Sequence, residues 1–419
     1  MIRAAAALLA LAALPARADE LPPPAQLAER AAALLPRLVE LRRDLHAHPE
    51  LSNREVRTGR VLAERLRAIG LTVRDKVAGN GVVATLRGGR PGPVVAIRAD
   101  IDALPIDEPP GAPYRSQTPG VKHACGHDVH AAIAIGVAEL LWPLRARLPG
   151  EVRFLLQPAE EGPPPGERGG ASLMIAEGAL DPPPAAILGL HVMPTMDVGR
   201  AAIRAGGAMA SADRFLATVR GKRAHGAAPH DGVDAVVVAA EAISALQTIR
   251  SRRVDPAEPV VVSIGRVQGG NRYNILADEV QLEGTVRALD EGLRRRVHAL
   301  MREILGGVTA AHGARYDLSI EETAPLTTNE PALTGRVRRS LERALGAAAV
   351  AEMPAQMVSE DFGYYQRKVP GAYFFLGVRN AKRGITAMIH TPEFDADEAA
   401  IAVGVRAMAE AALGELGAR

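Results

Sequence analysis

The segment His123–His130 reads His-Ala-Cys-Gly-His-Asp-Val-His and contains Cys125, the single cysteine of the 419-residue chain. A thiolate, imidazoles and a carboxylate within so few positions are typical ligands of a divalent metal ion. Coordination would also protect a thiol that is prone to oxidation in an exported protein. The alternative is a buried, unreactive cysteine beside polar turn residues.

Other polar clusters follow short apolar runs, and a last one lies near the C-terminus. They are Arg98–Pro105 after Val94–Ile97, Gln157–Glu161 after Val152–Leu156, Gly189–His191 after Ile187–Leu188, and Ile389–Glu393. Because ligands bind at the carboxyl ends of parallel strands, where adjacent loops converge, we expect these distant clusters to be neighbours in space.

Two divalent ions need several protein ligands each, and a thiolate or carboxylate can bridge them. The predicted shell consists of Cys125, His127, Glu161, His191 and His390. Asp102 is predicted to orient a ligand histidine through its other ring nitrogen. Zinc suits a thiolate with imidazoles, while mixed sites also accept manganese, cobalt or nickel. Taken singly, His191 and His390 have a hydrogen-bonded structural role as their alternative, and a solvated face is the alternative for the Glu160–Glu161 pair.

Four further histidines are predicted to have structural roles. They are His46, His48, His298 and His312.

The elements that must position these residues read as an α/β fold. Leu34–Leu71 has a helical pattern with a turn near His48, and Ala131–Leu141 is also helical. Short, continuous apolar runs between helices are typical of buried parallel strands. Such runs are Gly81–Leu86, Val94–Ile97, Val152–Leu156, Ala185–Leu188 and Ala372–Leu376. We therefore predict a catalytic domain with a mainly parallel sheet and helices on both faces.

The middle of the chain has a different pattern of predicted elements. Their order is β-α-β-β-α-β, which is the ferredoxin-like arrangement. Its predicted elements are Phe215–Val219, Val233–Arg250, Val260–Val267, Val280–Val286, Glu291–Ala311 and Tyr316–Ile320. We predict an inserted α+β domain at residues 205–322, between catalytic parts at 19–204 and 323–419.

Residues 1–18 have the pattern of a secretory signal peptide: Arg3, an apolar stretch and Ala16-Arg17-Ala18 as the cleavage site. Cleavage after Ala18 would leave 48 basic and 48 acidic residues. A neutral chain with few aromatic residues argues against nucleic acid or an anionic membrane as a partner. No later apolar run reaches the ~18 residues of a membrane span. We therefore expect a soluble, secreted, periplasmic protein.

In combination, these motifs resemble the metal-dependent aminoacylase/carboxypeptidase superfamily, and within it the amidohydrolases that include hippurate hydrolase, N-acyl-amino-acid amidohydrolases and auxin-conjugate hydrolases. The shared motifs are Arg98–Pro105, His123–His130, Gln157–Glu161, Gly189–Val192, His225–Pro229, Ser359–Phe362 and His390–Phe394. The resemblance implies the metal ligands given above, with Glu160 as the catalytic acid/base.

The same resemblance implies that the inserted domain is a lid, often used for dimerisation. It implies that His225 stabilises the oxyanion, in its own or a neighbouring subunit's site, and that Asn274 and Arg287 hold the substrate. The alternative for Arg287 is a solvent-exposed cationic side chain on a strand.

These observations predict a dinuclear, metal-dependent amidohydrolase that cleaves N-acetyl or N-benzoyl amino acids or short peptides and forms a homodimer through the lid. A metallo-carboxypeptidase or dipeptidase is the alternative among enzymes. A metal- or solute-binding protein on the same fold is the alternative outside them, although a pure binder would not need Glu160.

Overall fold

The computed structural model describes residues 21–418, so the predicted signal peptide, residues 1–18, lies outside the described residues. The helices, in chain order, are α1 (Pro24–Ala47), α2 (Val56–Ile69), α3 (His127–Leu141), α4 (Gly170–Ala176), α5 (Ala235–Thr248), α6 (Glu291–Ala311), α7 (Pro331–Leu345), α8 (Gly363–Gln366) and α9 (Ala399–Glu415).

The strands fall into one large sheet, one smaller sheet and one short ribbon. In chain order they are β1 (Thr72–Val77), β2 (Gly81–Arg87), β3 (Arg90–Asp100), β4 (Pro149–Gln157), β5 (Ala186–Asp197), β6 (Ala201–Ile203), β7 (Gly206–Met209), β8 (Ser211–Arg220), β9 (Val260–Gly269), β10 (Glu279–Ala288), β11 (Arg315–Ala324), β12 (Thr327–Asn329), β13 (Val350–Glu352) and β14 (Gly371–Arg379).

The large sheet has the order β1-β2-β4-β3-β5-β14-β6-β13 and is mixed rather than mainly parallel. Its centre, from β4 to β14, is parallel, as expected from the continuous apolar runs. Its flanks are not: β2 runs antiparallel to both β1 and β4, and β6 runs antiparallel to β14. The prediction of a mainly parallel sheet is therefore confirmed for its centre but not for Gly81–Leu86, since a tight connection from β1 makes β2 the second strand of an antiparallel hairpin.

Both faces of the large sheet are covered by helices. Successive side chains of each strand point to opposite faces, so neighbouring residues pack into different clusters. Leu188 and Phe374 pack into a large cluster with helices α1, α2, α3, α7 and α9. Ile187 and Phe375 pack on the other face with the short helices α4 and α8. The centre of the sheet is thus fixed from two sides, which makes its strand ends a rigid platform.

Helix α3 is buried over almost its entire surface, as expected of a helix that is apolar all round. The segment His127–Arg147 is long and apolar enough to cross a membrane by length and composition alone. However, 72% of its most apolar window is buried inside the protein, which is the environment of a core helix.

The smaller sheet is antiparallel, with the order β11-β8-β10-β9. Helices α5 and α6 pack on one face and bury Phe215, Leu282 and Met301. Asp234 and Asp290 cap the two helices by accepting hydrogen bonds from backbone N–H groups of their first turns. The chain enters and leaves this unit next to the ribbon of β7 and β12, which joins it to the large sheet. The domain boundaries and the use of this unit as a lid stay predictions.

Candidate metal centre

The carboxyl ends of adjacent strands bring several predicted site residues to one edge of the large sheet. Strand β3 leads into Asp102, and β4 leads into Glu160 and Glu161. His191 lies within β5, which continues to Asp197, so the prediction that this strand ends before the histidine was wrong. Because β4, β3 and β5 are parallel neighbours, the four side chains converge.

The start of α3 supplies the second part of the site. Cys125 precedes the helix and His127 is its first residue. Gly126, between them, has a left-handed backbone with φ of 90°, and a Cβ there would lie 2.5 Å from Cγ2 of Val192. Both features favour glycine strongly. The close approach of this turn to β5 places Cys125 beside His191.

Hydrogen bonds at Nδ1 orient two of the imidazoles. Nδ1 of His127 lies 2.9 Å from the carbonyl oxygen of Asp102 and 3.2 Å from its carboxylate. Nδ1 of His191 lies 2.7 Å from the carbonyl oxygen of Val192. Asp102 also accepts a hydrogen bond from the N–H of Glu161 at 3.0 Å, so it joins two strand ends. Nε2 of each ring is left to face the other predicted ligands, Cys125 for His191 and Glu161 for His127, as in metal-ligating histidines.

All five predicted ligands meet. Sγ of Cys125 lies 3.3 Å from Nε2 of His191 and 3.3 Å from Nε2 of His390. Nε2 of His390 is 3.2 Å from Oε1 of Glu161, and Nε2 of His127 is 4.0 Å from the same oxygen. Ligand atoms of Cys125, His127 and His191 lie within 4.8 Å of one another, as do those of Cys125, Glu161 and His390. The sulfur therefore belongs to two ligand groups.

The electrostatics of the site fit a cation. Burial, followed by the charges of Glu161 and Glu160, raises the pKa of the Cys125 thiol well above its ordinary value. Burial, Glu360 and Glu161 likewise raise the pKa of Glu160. Nε2 of His127 is buried and makes no hydrogen bond within residues 21–418. Uncompensated negative charge beside a buried ring nitrogen is what a divalent ion would neutralise.

The pKa values of His127 and His191 are shifted in opposite directions. Burial lowers the pKa of His127, but Asp100 and Asp102 outweigh burial and raise it to about 10. A proton on His127 then offsets part of the acidic charge. Burial and the neighbouring His130 lower the pKa of His191 to about 4. His191 is therefore neutral near pH 7, which is the form that binds a metal.

A buried guanidinium for which no role was predicted supports the back of the site. Arg98 donates hydrogen bonds to Glu360 and Asp361, both at 2.8 Å, and to Gln157 at 2.9 Å. It holds the two carboxylates so that their oxygens and that of Glu160 lie within 4.8 Å of one another. Arg98 stands in a motif that the sequence singles out, but Glu360 and Asp361 lie about 260 positions away.

A cavity of about 490 Å³ opens onto this cluster. Arg287, on β10 of the smaller sheet, lines the same cavity and donates a hydrogen bond to the Ser359 hydroxyl at 2.9 Å. Within the described residues Arg287 has no salt bridge to an acidic residue, and the nearby carboxylates of Asp213 and Glu322 pair with Arg294 instead. The cavity also has apolar walls, formed by Val192, Met193, Met209, Ala212, Ala324, Val358, Phe375 and Ile389.

Two predicted residues lie on the smaller-sheet unit, apart from the cluster around Cys125. His225 is exposed, and Asn274 is half-buried. They are close to each other, since the N–H of Gly226 donates a hydrogen bond to the carbonyl oxygen of Asn274 at 2.8 Å. In addition, His225 and Ile275 form an isolated antiparallel β-bridge. Neither lines the cavity that contains Cys125 in the same chain.

The four histidines predicted to be structural each have a hydrogen-bonding partner. His48 contacts the carbonyl oxygen of Asp44, His298 contacts Asp213, and His312 contacts Glu241, each at 2.8 Å. His46 lies 2.7 Å from Asp128, the residue after His127, and therefore packs directly behind the site.

Comparisons with known proteins show what the whole chain is similar to. The model of the peptidase family M20/M25/M40 matches residues 96–414. An N-acetylcysteine deacetylase of Bacillus subtilis (strain 168) is 38% identical over 379 residues, which are 90% of this chain and 96% of that protein. Thermostable carboxypeptidase 2 of Saccharolobus solfataricus is 37% identical over 374 residues, which are 89% of this chain and 93% of that protein.

A solved structure is similar over nearly the whole chain. It is a dinuclear metal binding peptidase of the M20 family from Bacillus subtilis, with a TM-score of 0.80 and 35% sequence identity. The match covers 93% of this chain and 100% of that one.

Proposed function

The chain belongs to peptidase family M20/M25/M40 and is a hydrolase of amide bonds, and from this premise we propose that it is a dinuclear metal amidohydrolase of N-acyl amino acids, of the N-acetyl and N-benzoyl type. The observation that carries the proposal is the position of Cys125, whose sulfur lies 3.3 Å from Nε2 of both His191 and His390. The proposed ligands of the two ions are Cys125, His127, Glu161, His191 and His390. Zinc or manganese are the proposed ions, and cobalt or nickel would also suit this ligand set.

Glu160 is the proposed general acid/base. A divalent ion held by the five proposed ligands would supply Lewis acidity, for polarising the amide carbonyl and easing the deprotonation of water. Glu160 accepts the proton of that water on a carboxylate oxygen and then donates it to the nitrogen of the leaving amine. Its placement supports this role, because its carboxylate lines the cavity 3.9 Å from Nε2 of His127. Asp102 keeps the ring of His127 in its orientation.

Arg287 is the proposed recognition element for the free carboxylate of the substrate. Its guanidinium faces the cavity and is hydrogen-bonded to a neutral hydroxyl, so its charge is available to an anion. A guanidinium binds a carboxylate in two parallel hydrogen bonds, which also fixes its orientation. The apolar walls formed by Met193, Met209 and Phe375 support an apolar acyl group or side chain in the rest of the cavity.

The decisive experiment is an activity screen of the purified protein with Zn²⁺ or Mn²⁺. N-acetyl and N-benzoyl amino acids, dipeptides and carboxylate-free amides are supplied, and release of the free amine is measured. We expect hydrolysis of N-acyl amino acids that stops on treatment with a chelator and returns with the metal. Hydrolysis that survives complete removal of metal would contradict the proposal.

A metallo-carboxypeptidase is the second candidate, and the similarity to thermostable carboxypeptidase 2 favours it specifically. Both activities need a carboxylate-binding arginine, so the substrates must separate them. Faster cleavage of dipeptides than of N-acyl amino acids in the same screen would favour the peptidase.

We also propose that the smaller-sheet unit, at residues 205–322, is a lid and the contact of a homodimer. Strand β9 is an edge of its sheet, with Val267 56% exposed, and Tyr273 beyond it is 95% exposed. An exposed edge strand with apolar side chains is a template for pairing with a second copy. In such a dimer His225 would complete the site of the partner and stabilise the oxyanion, and Asn274 would hold substrate there.

Secretion is a proposal of its own. It rests on the basic residue, apolar stretch and small-residue cleavage site of residues 1–18. Mass spectrometry of the exported protein should give an N-terminus at Asp19.

A further inference from the structure

Two buried cations connect the loop that carries Cys125 to the loop that carries His390. We propose that Lys122 and Arg42 are positioning residues that set the affinity for the metal ion held by Cys125, Glu161 and His390. This inference rests on the proposed function, since it assumes the two-ion centre. Neither cation lines the cavity, so each acts through the loops it holds.

Lys122 joins the two loops directly. It lies three residues before Cys125, and its Nζ donates a hydrogen bond to the carbonyl oxygen of Pro392, two residues after His390, at 2.6 Å. Its own backbone is paired with Leu104 through two hydrogen bonds of 2.9 Å. The residue is 2% exposed, and Nζ is 3.3 Å from Oε1 of Glu108. A buried ammonium group is costly without partners, so the contact with Pro392 is strongly favoured.

Arg42, on α1, makes a second connection. Its Nε donates to Asp128, the residue after His127, at 2.7 Å, and its Nη2 donates to Asp395 at 2.7 Å. The guanidinium is fully buried, so it cannot exchange these carboxylates for water. Arg42 thereby fixes the start of α3 and the chain beyond His390 to the same core helix.

The His390 loop depends on such contacts because it has little structure of its own. Residues 386–397 contain no helix or strand. His390 itself has a left-handed backbone with φ of 61°, its side chain is 50% exposed, and one backbone hydrogen bond of 2.8 Å ties it to Ala124. Freedom of this loop would remove one ligand from the group Cys125, Glu161 and His390. The group Cys125, His127 and His191 would keep all its members.

The test is a Lys122→Met variant, which keeps the length of the side chain and removes its charge. Arg153→Met is the matched control, because Arg153 is also a buried cation that donates to a backbone carbonyl, of Pro182 at 2.9 Å, but its partners belong to neither of the two loops. Zn²⁺ stoichiometry and affinity are measured by competition with a chromogenic chelator. Hydrogen exchange of residues 386–397 is followed in parallel.

We expect wild type to bind two Zn²⁺ ions and Lys122→Met to bind one of them at least about tenfold more weakly, the scale of outer contacts to metal ligands. Exchange of residues 386–397 should be faster in that variant. Arg153→Met should bind both ions as wild type does. Wild-type affinities in Lys122→Met, or an equal loss in Arg153→Met, would overturn the inference. A wild type that binds fewer than two ions would instead contradict the proposed function.

If Lys122→Met fails to fold, Asp395→Asn replaces it, because the Asp395 side chain is 29% exposed and the change is nearly isosteric. The same weakening of one ion is expected, since the charge opposite Arg42 is lost. Unchanged affinities for both ions in that variant would equally overturn the inference.

Discussion

Sγ of Cys125 lies 3.3 Å from Nε2 of His390, although 265 positions separate the two residues. Two ligands of one tetrahedral zinc ion, a thiolate and an imidazole, are about 3.5 Å apart given the usual bond lengths. The side chains are therefore already spaced for a shared ion. The burial that raises the pKa of the thiol would make the thiolate unfavourable there without such an ion.

Cys125→Ala is expected to release metal. The sulfur belongs to both ligand groups, so its loss should weaken both ions, in contrast to the single ion weakened by Lys122→Met. Metal analysis of the dialysed variant is the measurement, with circular dichroism to check that the fold persists. Two ions retained at wild-type affinity would show that the cysteine is not a ligand.

Glu160 and Glu161 are adjacent, and their substitution should have different consequences. Glu160→Gln should keep both ions and lose about 10²–10⁴ in kcat, the scale of acid/base catalysis. Glu161→Ala should lose metal, because Oε1 of Glu161 faces Nε2 of His390 at 3.2 Å. Metal content and kcat of the two variants decide between these roles. An unchanged kcat in Glu160→Gln would end the proposed role of that residue.

Arg287→Gln is expected to raise KM for N-acyl amino acids about 10- to 100-fold, the scale of one charged hydrogen-bonding interaction. Amides without a free carboxylate should be hydrolysed as slowly by the variant as by wild type. Arg266→Gln is the control, since this exposed arginine on β9 of the same sheet does not line the cavity. Equal changes for both substrate classes would argue against carboxylate recognition.

Much of the site could be predicted because its residues follow continuous apolar runs. The runs before Asp102 and Glu160 are buried parallel strands, and their order alone brings the two carboxylates to one edge. His191 shows the limit of this reasoning, since β5 stays regular through it to Asp197 and a polar residue does not end the strand. The apolar run indicates where a strand is buried, not where its hydrogen bonds stop.

The flanks of the large sheet and the back of the site could not be predicted. Strand β1 reads Thr-Val-Arg-Asp-Lys-Val, which is mostly polar because it lies at the sheet edge, so its hairpin with β2 leaves no apolar signal. The ion pairs of Arg98 with Glu360 and of Arg42 with Asp128 join residues far apart in the chain. Such pairs depend on packing that no local pattern encodes.

His225→Ala tests whether two copies share a site. If His225 completes the partner's site, the variant should stay dimeric and lose activity, as judged by light scattering and kcat. Mixing it with inactive Glu160→Gln should restore activity, because one site in the mixed dimer then has both residues intact. His230→Ala, at an exposed position nearby, is the control. A mixture that remains inactive would place His225 outside the catalytic machinery of the partner.

Glu108 should make stability depend on acid pH. Burial alone would raise its pKa, but hydrogen bonds from His46 and the N–H of Ser116, together with the charge of Lys122, lower the pKa to about 2. The folded state therefore binds this proton more weakly than the unfolded state, where a glutamate titrates near its ordinary value of about 4.3. The resulting stabilisation is complete above that value and is lost as the pH falls towards 2.

Glu108→Gln should consequently lower the free energy of unfolding at pH 7 by roughly 1–3 kcal/mol, with the difference from wild type shrinking between pH 5 and pH 3. Denaturant unfolding at a series of pH values measures this difference, in which the effects common to both proteins cancel. Glu64→Gln is the control, because that exposed carboxylate only pairs with Arg60 on the surface of α2, at 3.3 Å. A difference for Glu108→Gln that stays constant across this range would mean that the carboxylate contributes no charge-dependent stability.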